Sequence, residues 1–327
     1  MPITLGLLGA ASITPRSIIR PAQQRGQVRV HAVAASEETR ATRFALEHRI
    51  PLAFASYEAL LECDEIEAVY LALPNHLHAT WAIAAARAKK HVLVEKPLCL
   101  DVAEAERIRG AVRESRVELL EGVMTQHHPW ESRLRAIVAE ARLGSLLAVK
   151  TALTFRLARS ENYRFSRRSG GGVFLDESCY WLRLLQVLGL LPLERLECEA
   201  DTPDGCEVET SCGVRAVGRG GVAVEALFSY ERPYEATHLL VFSGGTARIR
   251  NFLAPSLGDF RIRIEMTSSS GGKEVELFER ENYFANQLDF FARVVRGERA
   301  NLPLDESIER IQAMERVAAS AVNGFKS

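Results

Sequence analysis

No charged residue precedes Arg16, although Met1–Ala11 is largely apolar. A secretory leader carries basic residues ahead of its apolar run, so this segment is expected to be a buried first strand. Runs long enough to cross a bilayer are also missing. The longest later one, Trp181–Leu193, is interrupted by Arg183 and Gln186 and falls short of the ~20 residues a spanning helix needs. Neither sign of charge is in excess: 41 Lys and Arg face 42 Asp and Glu, a formal net charge of -1. That balance favours neither a nucleic acid nor a membrane as partner. The six cysteines, Cys63, Cys99, Cys179, Cys198, Cys206 and Cys212, form no C-x-x-C pair. The nearest two, Cys206 and Cys212, have no histidine close by in sequence, so no metal site is expected. Reduced thiols in a cytoplasmic protein are the expected state. Internal repeats and low-complexity linkers are absent as well.

What is there amounts to more than one ordinary domain. The chain has 327 residues, 47% of them apolar and 25% charged, as in a globular protein of two domains. Short apolar runs at Ile3–Leu8, Val28–Ala35, Ala68–Leu73 and His91–Val94 read as buried strands. Between and after them, Pro15–Gln24, Glu37–His48, Leu77–Ala88 and Val102–Glu114 read as helices. This alternation predicts an α/β domain with a parallel, doubly wound sheet over residues 1–122. The rhythm then changes. Leu146–Arg156, Glu194–Ala200, Ser211–Val217, Val222–Tyr230, His238–Phe242, Ala247–Asn251, Phe260–Met266 and Lys273–Phe278 read as strands, several separated by glycine turns. They predict an antiparallel meander. Helices Ser132–Leu143, Asp176–Leu188, Asn282–Arg296 and Asp305–Ala321 flank it, giving an α+β domain over residues 123–327.

The segment LGLLGAASIT, Leu5–Thr14, ends the first strand and turns into a helix. Free N–H groups and the positive dipole end of a helix suit a dinucleotide pyrophosphate there, with Gly9, Ala11, Ser12 and Ile13 as candidate contacts. Ala11 and Thr14 stand where the second and third glycines of the usual fingerprint would be. The alternative is a strand–turn–helix that uses Gly9 only for its tight turn. At the end of the second strand, Ser36 and Arg40 could hold a 2′-phosphate, which favours NADP. Glu37 could accept from a ribose hydroxyl instead, which favours NAD, or simply begin a solvated helix.

ALPNHLHATWAIAAARAKKHVLVEKPL, Ala72–Leu98, is more specific. With Pro74-Asn75, His78 and Glu95-Lys96-Pro97 in their spacing, it resembles the Gfo/Idh/MocA oxidoreductase family, and Leu73, Pro74, Asn75, His78, Glu95 and Lys96 are the cofactor contacts expected from it. GGGVFLDESCYWL (Gly170–Leu182) after Asn162-Tyr163-Arg164, and ENYFANQLDFFARVVRG (Glu281–Gly297), resemble the same family, so the likeness runs through the whole chain. The resemblance implies a Rossmann domain, then a domain with a large open antiparallel sheet, and a nicotinamide cofactor between them. It also implies a homodimer or homotetramer through the sheet faces. Lys96 matches the family's catalytic lysine and Asp176 its substrate-binding carboxylate. Tyr180 stands where many members have a histidine, as in the branch of glucose–fructose oxidoreductase, dihydrodiol dehydrogenases, xylose dehydrogenases and nucleotide-sugar 3-ketoreductases. Three departures touch the substrate side: Ser178 replaces a glycine, Arg183 replaces an acidic or amide residue, and Met124–Pro129 has an unusual sequence.

The activity implied is NAD(P)-dependent hydride transfer to or from a keto or hydroxyl group of a sugar, nucleotide-sugar or cyclic diol. A phenol with its ordinary pKa of ~10 exchanges protons poorly at neutral pH, and a neighbouring ammonium lowers that value. Tyr180 is accordingly the expected acid/base and Lys96 its electrostatic partner. Asp176 lies one helical turn before Tyr180, so both can point to one side; it could also serve only to cap its helix. Arg164 and His127 are further candidates for substrate contact, His127 and His128 being equally readable as structural. Two alternatives of other classes stand beside this one: a non-catalytic dinucleotide sensor, against which Lys96 and Tyr180 argue, and NAD-assisted glycoside cleavage.

Overall fold

In the computed structural model, which describes residues 1–158 and 162–322, all six residues of β1 (Ile3–Leu8) are buried. Complete burial suits a parallel strand covered on both faces. A π-helical turn at Pro15–Ile19 leads into α1 (Arg20–Arg25), where one continuous helix from Pro15 to Gln24 was expected. The order continues with β2 (Val28–Ala34), α2 (Glu38–His48), β3 (Leu52–Phe54), α3 (Tyr57–Leu61), β4 (Ala68–Leu71), α4 (His78–Arg87), β5 (His91–Val94), α5 (Val102–Ser115) and β6 (Leu119–Glu121). The sheet order is β3-β2-β1-β4-β5-β6, all parallel. Chain direction across the sheet therefore reverses between β1 and β4. Ligands of such sheets bind outside the carboxyl ends of the strands at that reversal.

The second sheet is built around α6 (Pro129–Glu140), β7 (Leu146–Thr154) and α7 (Val173–Val187). After them come β8 (Glu194–Asp201), β9 (Ser211–Gly218), β10 (Val222–Ser229), β11 (Glu235–Phe242), β12 (Gly245–Arg250), β13 (Arg263–Ser268) and β14 (Lys273–Leu277). The chain ends with α8 (Tyr283–Val295), α9 (Leu304–Ala319) and a two-residue β15 (Ala321–Val322). Nine strands run in the order β14-β13-β12-β11-β7-β10-β9-β8-β15. The sheet is mostly antiparallel but is not the simple meander expected. β7 inserts between β10 and β11, antiparallel to β11 and parallel to β10. Strand alternation fixes the two faces: Val222, Val224, Ala226 and Phe228 of β10 are buried, and Phe228 meets the rings of Phe174 and Trp181 on α7.

The chain forms two compact units, Met1–His127 with Asn282–Ile311, and His128–Glu281 with Gln312–Ser327. A single boundary at 122/123 therefore does not describe it, because the chain returns to the first unit at Asn282. The reason lies in α8. Leu288, Phe290, Phe291, Ala292 and Val294 are buried in one core with Leu5 and Leu7 of β1, Ile18 and Ile19 of the π-helical turn, and Ala22 of α1.

The start of α7 is held from β9's approach. Val173 N–H donates to Glu209 O at 3.2 Å and Phe174 N–H to Glu209 Oε1 at 3.0 Å. Glu209 is 4% exposed, and burial pushes its pKa up to about 7, against the Phe174 N–H and the Arg167 charge. A carboxyl whose pKa is raised by folding stabilises most when protonated. Its contribution is whole below the unfolded value of 4.5 and is lost as pH rises through about 7. Glu209→Gln removes this slope. In urea titrations at about pH 5 and about pH 8, the unaltered chain should lose on the order of 3 kcal/mol more than the variant; equal losses would contradict the assignment.

Candidate active site

The residues singled out in the first unit gather at the carboxyl edge of its sheet. Gly9 follows β1 with φ of 110°, and a Cβ there would lie 2.5 Å from Ala72 O beyond β4; glycine is the residue that permits this approach. Beyond it, Ala11, Ser12 and Ile13 lead into the buried Thr14. Their backbone N–H groups have no hydrogen-bond partner among the described residues, and Thr14 Oγ1 is buried without one. Unbonded N–H groups at the start of a helical segment are the donor set that a pyrophosphate requires, so the residues present fit a dinucleotide. Arg40 on α2 lies exposed, and its Nη2 donates to Ala10 O at 3.1 Å, which brings the guanidinium to the same loop. Ser36, exposed, lies two residues before that helix, and Glu37 is its N-cap.

After β4 come Leu73 and Pro74, then Asn75, which is 4% exposed and opens a 3₁₀ turn. After β5 come Glu95, Lys96 and Pro97, the Lys96–Pro97 bond being cis. Glu95 Oε1 accepts from Tyr70 OH at 2.5 Å, and Tyr70 OH lies 2.8 Å from Ser17 Oγ. This fully buried tyrosine ties the Glu95 segment to the π-helical turn. His78 is fully buried. Its Nδ1 lies 2.7 Å from Pro97 O and its Nε2 2.9 Å from Leu73 O, so it links those two segments. Burial pushes its pKa down, while the two carbonyls and the Glu121 charge oppose that shift. Beyond Pro97, α5 begins with a reciprocal cap: Glu104 N–H donates to Asp101 Oδ1 at 2.6 Å and Leu100 N–H to Glu104 Oε2 at 3.0 Å.

In the second unit, α7 carries both Asp176 and Tyr180, 4% and 7% exposed. Asp176 Oδ2 accepts from Arg164 Nε at 2.6 Å and from Tyr230 OH at 3.0 Å. The structure thus brings Asp176 and Arg164 together and adds Tyr230, which the sequence did not mark. Burial works against the Arg164 charge, but Asp176 holds its pKa above the usual value. Burial raises the Tyr230 pKa well above 10, and the Asp176 charge adds to that. Tyr230 is therefore a hydrogen-bond donor that stays protonated.

Arg183, a departure from the family pattern, has a local partner: its Nε donates to Glu131 Oε2 on α6 at 2.9 Å, with side chains 13% and 4% exposed. His128 accepts from Trp130 N–H at 3.3 Å and caps α6; burial lowers its pKa to about 4. His127 closes the first unit's main segment, its ring 4.7 Å from that of Phe290. Lys96 and Tyr180 belong to different units. Among the described residues, no group of three His, Cys, Asp or Glu side chains gathers as a metal site.

Comparison with known proteins assigns the chain. Residues 3–123 match the NAD-binding Rossmann fold of the GFO/IDH/MocA oxidoreductase family, and residues 132–250 its C-terminal domain. D-xylose 1-dehydrogenase (NADP(+)) 2 of Haloferax volcanii is 32% identical over 325 residues, covering 98% of this chain and 97% of that protein. The dTDP-3,4-didehydro-2,6-dideoxy-alpha-D-glucose 3-reductase of Actinomadura kijaniata is 29% identical over 324 residues, 98% of this chain and 96% of that one. The crystal structure of KijD10, a 3-ketoreductase from Actinomadura kijaniata in complex with NADP and TDP-benzene, superposes with a TM-score of 0.92 at 26% identity, covering 98% of both chains. The chain belongs to the GFO/IDH/MocA oxidoreductase family and is an enzyme with an NAD-binding Rossmann domain.

Proposed function

We propose that this chain transfers hydride between NADP(H) and a keto or hydroxyl group on a sugar or nucleotide-linked sugar. One observation carries the reading. Relatives matching nearly the whole chain act on such substrates, and Lys96 and Tyr180 keep the separation of the lysine and tyrosine replaced in variants of the Actinomadura 3-ketoreductase. The cofactor supplies the hydride. The chain's residues bind, orient and move the proton. Tyr180 gives a proton to the oxygen that becomes a hydroxyl, or takes it in the reverse direction. The Lys96 ammonium stabilises the phenolate and orients the substrate oxygen. Asp176, Arg164 and His127 contact the substrate; Tyr230 and Arg164 fix the Asp176 carboxylate for that purpose. Gly9, Ala11, Ser12 and Ile13 receive the pyrophosphate, and Leu73, Pro74, Asn75 and Glu95 frame the nicotinamide half, with His78 behind them.

Ser36 and Arg40 are assigned to the 2′-phosphate. Free thiols at Cys63, Cys99, Cys179, Cys198, Cys206 and Cys212 support work in the reducing cytoplasm. No helix among the described residues is long and apolar enough to cross a membrane. The chain assembles as a homodimer or homotetramer through the face of the nine-stranded sheet turned away from α7, whose edge exposes Val275 and Leu277 at 55% and 61%. A single monomeric species in sedimentation at micromolar concentration would contradict it.

Arg40→Ala should weaken NADPH binding by ~10–100-fold, the size of a lost charge-assisted hydrogen bond, and leave NADH nearly untouched. Fluorescence titration reads both, and a preference for NADH that Arg40→Ala leaves unaltered would make Glu37 the ribose acceptor instead. Tyr180→Phe keeps the ring and removes the proton donor. Single-turnover hydride transfer should fall ~100–10,000-fold with cofactor affinity unchanged. Lys96→Ala should cost at least as much, and the double variant little more, since the two act as one unit. Near-normal turnover by Tyr180→Phe would remove the tyrosine from the mechanism.

A further inference from the structure

The peptide group joining Pro97 to Leu98 is gripped at both of its polar ends by buried ionisable side chains. Its carbonyl oxygen lies 2.7 Å from His78 Nδ1, and its N–H donates to Glu121 Oε1 at 3.0 Å. His78 is 0% and Glu121 4% exposed. Each has a second anchor. His78 Nε2 lies 2.9 Å from Leu73 O. Glu121 Oε2 accepts from Arg310 Nη2 at 2.5 Å, and the same nitrogen lies 2.9 Å from Ser307 Oγ. Pro97 and Leu73 present only carbonyl acceptors, so both contacts of His78 are hydrogen bonds when the ring carries protons on both nitrogens. The charges that face it are Glu121, which favours that form, and Lys96, which opposes it.

Most buried peptide groups are satisfied by other backbone groups. Burying an imidazole, a carboxylate and a guanidinium to serve one peptide is costly in desolvation. What this peptide carries on its N-terminal side is Lys96. The Pro97 ring already fixes its own φ. With the following peptide held at O and N, little freedom remains between the clamp and the Lys96 Cα.

We propose that His78 and Glu121, the latter held by Arg310, are positioning residues for Lys96 that set the direction from which its side chain leaves the backbone. The proposal rests on the reading of Lys96 given above. Both side chains are buried, and in this reading they act on the reaction through the lysine.

The test is a double-variant cycle. Single-turnover hydride transfer, NADPH affinity and thermal midpoint are measured for Glu121→Gln, Lys96→Ala and the pair. Misplacing a reacting group by about an ångström costs up to ~100-fold. Glu121→Gln should slow transfer by ~10–100-fold, leave NADPH affinity unchanged and add nothing to Lys96→Ala. An equal slowing in both backgrounds would make Glu121 a purely structural residue, and no slowing would remove the clamp from the mechanism. If Lys96→Ala itself turns over normally, the role of Lys96 falls and the positioning claim with it. If Lys96→Ala is impaired while Glu121→Gln is not, only the clamp falls. Should Glu121→Gln fail to fold, hydrogen exchange of the Leu98 amide in the unaltered chain decides. Slow exchange, matching the β5 amides, is expected; exchange at the rate of an open loop would overturn the clamp.

Discussion

A carboxylate sealed from water must be matched in charge, or it weakens everything packed around it. Glu121 ends β6 and is matched by Arg310, 189 residues later, with both side chains 2% exposed. Removing one partner of such a pair costs about 3–5 kcal/mol, because the other is left buried and uncompensated. The first unit therefore depends on the chain's return at Asn282. Without α8 its core lacks Phe290 and Phe291, and without Arg310 the end of β6 holds an unmatched charge. The segment carrying Glu95, Lys96 and Pro97 is tied into the same arrangement through Leu98, His78 and Tyr70.

The second unit solves a similar problem at Asp176. One of its oxygens is shared by Arg164 and Tyr230, two groups that reach it from separate parts of the chain. Glu209 meanwhile holds the N-terminal turn of the same helix. The helix is thereby fixed by a polar network at its start and by Phe174 and Trp181 against β10 farther along. Asp176 and Tyr180, one turn apart, inherit that rigidity. In both units the segments that carry Lys96, Asp176 and Tyr180 are thus braced by buried polar groups.

Local pattern made much of this legible. The six residues of β1 and the four of β5 have the bounds expected from the sequence, and Gly9 takes the positive φ its place in the turn requires. Strands β3 and β6, three residues each, are too short to show a period. The insertion of β7 beside β10 leaves no mark in sequence, since alternation reports which face a residue takes and not which neighbour it pairs with. The return of α8 was missed for a related reason: an amphipathic stripe shows that a face is buried without saying against what. Glu121, Arg310, Tyr230 and Glu209 act through partners distant in sequence, and a lone acidic or aromatic residue at a strand end looks like any other. Lys96 and Asp176 stand out in sequence because the motifs around them are recognisable, and the groups that brace them carry no such motif.

The proposed reaction has reduced cofactor bound to this chain deliver hydride to a sugar carbonyl. The most direct measurement mixes the purified protein with NADPH carrying deuterium at the transferable nicotinamide position and a panel of ketosugars and nucleotide-linked ketosugars. Mass and NMR analysis of the products then follows the label. Deuterium is expected on a single carbinol carbon of at least one product, in one stereochemical sense. Binding of NADPH with no transfer of label to any carbonyl in the panel would contradict it.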